Sequence, residues 1–186
     1  MLEARHILKL KLSEENLALY RKMPAPEHAT QELIKYFAAI GNATLGNLLA
    51  IPPDLFETQL SAARDFGASY LTEDKQHKIL GISAATSAIK NNNILNKYLI
   101  LPQEYMRKAP ELTTHYIVSL FLQGSIDYNT IPNVSEVNVA GWTTVHDIQK
   151  YGQQPPAGFN SKIQVIAMPC TMLNPIGQLI TQLNAH

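Results

Sequence analysis

The sequence predicts an α/β domain with a central mixed sheet of five or six strands flanked by helices. Three observations carry this. Nearly continuous apolar runs, KYLILP and HYIVSLFL, are strands of the kind buried in the middle of a sheet. KIQVIAMP repeats that character near the end of the chain. Between and before these runs lie segments whose apolar residues return at helical spacing.

Taken in order, His6–Leu12 (HILKLKL) alternates apolar and polar residues and reads as a strand. Ser13, with Glu15 and Asn16 beyond it, starts a short helix over 14–22, which Met-Pro-Ala-Pro breaks. HATQELIKYFAAI is a second helix with Leu33, Ile34, Phe37 and Ile40 on one stripe, and Gly41-Asn42 supplies its stop. Pro52-Pro53 opens a third, with Phe56, Leu60 and Ala63 inward. The part from 13 to 65 is thus mostly helical, and 66–186 is the sheet-rich core of one domain spanning 1–186. There ASYLT and KILGISAA flank a polar Glu73-Asp74-Lys75-Gln76 connection and form a hairpin. The Asn91–Asn93 run is a loop or tight turn. KYLILP, HYIVSLFL and VNVAGW follow as strands, and a helix started by Thr143 or Thr144 covers 145–151. QQPPAGFNS is a loop, IQVIAM a further buried strand, and Pro175-Ile176 opens the closing helix.

Composition narrows the classes of function. The chain has 186 residues, 46% hydrophobic and 16% charged, enough for a core without disulfides or metals. Its 15 basic and 15 acidic residues cancel, which weighs against a life on nonspecific phosphate attraction. The single cysteine, Cys170, forbids an intrachain disulfide and fits a reducing compartment. No apolar leader or membrane-length run is present, so the expected location is soluble and cytoplasmic, with no membrane partner. Charge is nonetheless segregated. Asp54, Glu57, Asp65, Glu73 and Asp74 face only Arg64 within 54–74, whereas Lys75, Lys78, Lys90, Lys97, Arg107 and Lys108 face only Glu104 within 75–108. Two solvated faces of opposite sign explain this, and so does a metal site beside a phosphate track.

The six histidines lack metal-ligand spacing, and neither GxxxxGK[ST] nor GxGxxG occurs. Cys170 after an apolar strand reads as a small buried hydrophobe, and Trp142 as a cap on the sheet core rather than a base-stacking platform.

The succession NKYLILPQEY, THYIVSLFL, SEVNVAGWTTVHDIQKYG, KIQVIAMP and LNPIGQLITQL resembles the second half of small nucleases of the PD-(D/E)XK, restriction-endonuclease-like superfamily, of phage and mobile-element type. The resemblance spans 28–183 and is closest over 96–183. It implies a helix Glu, an Asp in the hairpin and a (D/E)-x-K on the next strand, which together gather Mg²⁺ and activate a water. Glu32 matches the helix Glu and Asp65 the Asp. The third element departs, because alternation along KILGISAATS puts Gly81 and Ser83 where Glu and Lys would stand. Glu73 and Lys75 spell E-x-K, but on a polar connection and with Asp74 between them.

The resemblance therefore implies a catalytically degenerate nuclease-like domain that binds a protein partner or nucleic acid, with no cofactor expected. The alternatives are an active Mg²⁺-dependent endonuclease using Glu32, Asp65, Glu73 and Lys75, with Asp65 and Glu32 holding the metal, and an unrelated α/β interaction protein. Nucleic acid would meet Lys75, Lys78, Lys90, Lys97, Arg107 and Lys108. A homodimer is compatible with such a domain.

Overall fold

A computed structural model describes residues 7–10, 40–50, 70–73, 76–89, 97–108, 114–125, 133–157 and 163–184. Seven strands are described: β1 (Leu8–Leu10), β2 (Tyr70–Glu73), β3 (Ile79–Ala88), β4 (Tyr98–Pro102), β5 (Thr114–Ser125), β6 (Asn133–Thr144) and β7 (Val165–Pro169). Residues 40–48 are helical (α1). Further helices are α2 (Gln103–Lys108), α3 (Val145–Tyr151) and α4 (Ile176–Asn184), with a 3-10 turn at Cys170–Met172.

Five strands form a mixed sheet in the order β1-β6-β5-β3-β2, in which β3 and β5 run parallel and the other neighbours antiparallel. β2 and β3 form the expected hairpin, with Tyr70 opposite Ile82, but Glu73, expected in the connection, is the last residue of β2 and pairs with Ile79. Both faces of β5 are buried. Its odd positions His115, Ile117, Ser119 and Phe121 point one way and Val118, Leu120 and Leu122 the other. That double burial is why its sequence reads as an unbroken apolar run.

One face packs on α1 and α4 through Ile40, Leu45, Ile176 and Leu179. In α4 the residues Ile176, Leu179, Ile180 and Leu183 recur at i, i+3, i+4 and i+7, which makes the helix amphipathic. The opposite face packs on β4, α2, α3 and β7 through Leu99, Leu101, Met106, Ile148 and Met168. Thr144 caps α3, its hydroxyl accepting from the Asp147 amide at 3.1 Å.

The VAGW strand end and the LNPI helix start meet in space. Trp142 and Asn174 exchange two backbone hydrogen bonds of 2.9 Å, and the Trp142 indole donates to the Pro175 carbonyl at 2.9 Å. Trp142 is buried and meets Tyr116 edge-on, so its ring belongs to the core. Gly141 adopts φ +143, and a Cβ there would sit 2.5 Å from the Asn174 carbonyl oxygen. Glycine is what allows the two chains to touch.

Two expectations are corrected. KYLILP and IQVIAM do not lie in the central sheet. β4 and β7 pair with each other as a separate antiparallel ribbon, with Leu99 and Leu101 turned toward the core. The helix through Ile40 also does not stop at Gly41-Asn42. It runs on to residue 48 and ends at Ala50, whose φ is +53. Gly41 serves close packing instead, since a Cβ there would overlap the Thr86 hydroxyl on β3.

Candidate functional site

β3 carries the two positions on which the functional reading turns. Gly81 and Ser83 are both buried and, two residues apart on a strand, address the same face. Across the parallel pairing Gly81 stands opposite His115 and Ser83 opposite Ile117. His115 is thus brought beside Ser83 from 32 residues away.

The Ser83 hydroxyl oxygen lies 2.7 Å from His115 Nε2, and the Tyr105 hydroxyl oxygen 2.9 Å from the same nitrogen. Ser83 is 5% and His115 3% exposed, and Tyr105 is half-buried on α2. The Tyr105 and His115 rings are tilted by 55° with centroids 5.4 Å apart.

Burial pushes the His115 pKa down to about 4, because a charged imidazole would have to leave water. The ring is neutral at physiological pH. Burial also pushes the Tyr105 phenol far above its ordinary value, and the hydrogen bond with Ser83 offsets only part of that. Nε2 either accepts from one of the two hydroxyls, with the ring proton on Nδ1, or carries the proton and donates to one of the two oxygens. Nδ1 is buried and has no hydrogen-bond partner among the described residues. An unmatched buried polar atom of this kind costs about 1–3 kcal/mol.

The other described site candidates are exposed. Glu73 ends β2 on the surface, with a carboxylate oxygen 3.3 Å from His77 Nδ1, and both side chains are exposed. Lys78, Lys97 and Arg107 are exposed. Lys78 immediately precedes β3, Lys97 immediately precedes β4, and Arg107 is the penultimate residue of α2. Glu32, Asp65, Lys75, Lys90 and the side chain of Lys108 lie outside the described residues.

Among the described residues no three His, Cys, Asp or Glu side chains gather in a way that would hold a metal ion. Cys170 is buried, and burial raises its thiol to about 12, so it acts as a small hydrophobe. No helix of the described residues is long and apolar enough to cross a membrane.

Sequence reasoning missed His115 and Tyr105, although one signal was available. In THYIVSLFL, His115 shares the inward period of Ile117 and Phe121, and a polar group there needs a buried partner. No protein-family model, curated protein or solved structure matches the chain.

Proposed function

We propose that the chain is a nuclease-like domain of PD-(D/E)XK type that has lost metal-dependent cleavage and works by binding, with a protein as the favoured partner. The observation that carries this reading is the state of β3. Of the two positions assigned to Glu and Lys, Gly81 offers no ligand, and the Ser83 hydroxyl is already bonded within a neutral, buried cluster.

Magnesium demands hard oxygen ligands in near-octahedral array and one or two carboxylates to hold it. The donor set at these positions does not fit that ion, and no step is assigned to it. Nor does Glu73 support a displaced E-x-K site. Its carboxylate is at the exposed end of β2 beside His77, whereas a working pair stands on a packed strand.

A protein partner is favoured over nucleic acid by the balanced charge. Nucleic acid is the second reading, supported by the exposed Lys78, Lys97 and Arg107. The two separate in a titration of labelled single- and double-stranded DNA and RNA at two salt concentrations. The protein-partner reading expects no affinity tighter than nonspecific binding. Tight binding that weakens steeply with salt, and further in Arg107→Ala, establishes the nucleic-acid reading instead. Plasmid cleavage in Mg²⁺ or Mn²⁺ that is lost in Asp65→Ala refutes both.

A further inference from the structure

We propose that Ser83 is a nucleophile activated by His115, and that it takes the acyl group of small carboxylic esters. This is independent of the binding reading above, which concerns metal-dependent phosphodiester chemistry.

The geometry has the parts such a step needs. A serine hydroxyl is a weak nucleophile until a base accepts its proton as it attacks. Here a neutral imidazole nitrogen lies 2.7 Å from the hydroxyl oxygen, within the reach required of a general base. The second hydroxyl, of Tyr105, stands 2.9 Å from that same nitrogen and hydrogen-bonds with Ser83, so it is next to any carbonyl that Ser83 attacks. It can donate to the oxyanion that forms there. Gly81, on the same face and opposite His115, adds no side chain beside the pair. Tyr105, half-buried where its two partners are buried, marks the side from which an electrophile would have to enter. Only small reagents suit so closed a site.

Atoms balance as follows. Ser83 Oγ bonds to the ester carbonyl carbon while its proton passes to His115 Nε2. The tetrahedral oxyanion collapses, the bond to the leaving alkoxide breaks, and that oxygen takes the proton from Nε2, leaving an acyl-serine. A water then attacks the acyl carbon with Nε2 accepting its proton, and Ser83 leaves reprotonated with a carboxylic acid as product. Nδ1 is the weak point of the arrangement, since no acceptor among the described residues holds the ring while it is charged. Turnover is accordingly slow compared with a triad whose base is held by a carboxylate.

The test is covalent labelling of the full chain with phenylmethylsulfonyl fluoride, followed by peptide mapping. Attack by Ser83 Oγ on sulfur expels fluoride and leaves a stable sulfonyl ester. The expected result is one adduct, on the peptide holding Ser83. In urea, where the pair is separated, that labelling disappears. His115→Gln, checked for folding by circular dichroism, labels about 100-fold more slowly or less, the loss expected on removing a general base. No adduct at Ser83 in the folded wild-type chain overturns the proposal, and so does labelling that survives unfolding. If His115→Gln does not fold, the wild-type comparison with and without urea decides alone.

Discussion

Replacing Gly41 by alanine reverses an ordinary rule, and the reversal can be worked out from two side chains. Inside a helix, Gly→Ala is normally favourable by about 0.5–1 kcal/mol, because alanine has less backbone entropy to lose. At residue 41 the added methyl would overlap the Thr86 hydroxyl, with Thr86 Cβ at 3.3 Å and Ala84 Cβ at 3.4 Å. Forcing a methyl into a filled space costs about 1–3 kcal/mol. The two effects leave a net destabilisation of about 1–2 kcal/mol, or a fall in Tm of about 2–4 °C for each kcal/mol in a chain of this size. The Thr86 hydroxyl is buried with no hydrogen-bond partner among the described residues, so Thr86→Ala alone should cost little. In the Thr86→Ala background the clash is gone, and Gly41→Ala should become neutral or stabilising. Urea denaturation of the four proteins closes the cycle, with an expected coupling of about 1–3 kcal/mol. A Gly41→Ala cost that is unchanged in the Thr86→Ala background would refute the close approach of α1 to β3. It would point instead to a glycine required by its backbone conformation.

Three further outcomes follow from other contacts. His115 has its folded pKa lowered from 6.5 to about 4, so the stability it contributes is complete above pH 6.5 and is lost as pH falls toward 4. The loss is about 2–3 kcal/mol by linkage, read as the change in urea stability between pH 7 and pH 4.5 that His115→Gln flattens; a wild-type curve flat across that window counts against a buried neutral ring. Trp142→Phe removes the indole donor to the Pro175 carbonyl and should cost about 1–3 kcal/mol in chemical denaturation, whereas an unchanged midpoint would show that the strand–helix latch is immaterial. Gly141→Ala puts a Cβ 2.5 Å from the Asn174 carbonyl oxygen at φ +143, and should lower stability at least as much as Trp142→Phe in the same assay.

How much of this could be read in the residues depended on how local the determining physics was. The α3 helix, its Thr144 cap and the β2–β3 hairpin are set by neighbours in sequence, and the structure agrees with the reading of each. The apolar character of KYLILP and IQVIAM was equally visible, but a buried run does not say which strand it pairs with. Their separation into a ribbon depends on Leu99 and Leu101 packing across to the sheet face. Gly41-Asn42 has the composition of a helix stop, and only the presence of Thr86, 45 residues on, turns that glycine into a packing residue. VAGW and LNPI are legible only as separate features, while the hydrogen bonds joining Trp142 to Asn174 span 32 residues.

The candidate site follows the same logic. Ser83 was marked by alternation along one strand, which is local. Its partners His115 and Tyr105 arrive through a parallel crossover and a short helix that no spacing rule encodes. A lone inward histidine in an apolar strand was the available clue, and its meaning depended on what stood across from it.

The most direct test of the account is the protonation state of His115, because a nucleophilic Ser83 requires a neutral ring that accepts at Nε2. Nitrogen-15 NMR of the imidazoles across pH 4–8 reads it, with the His115 signal assigned by its loss in His115→Gln. The account predicts a His115 ring that stays neutral down to about pH 5, with its proton on Nδ1. A His115 ring that protonates between pH 6 and 7, or that carries its proton on Nε2, would contradict it.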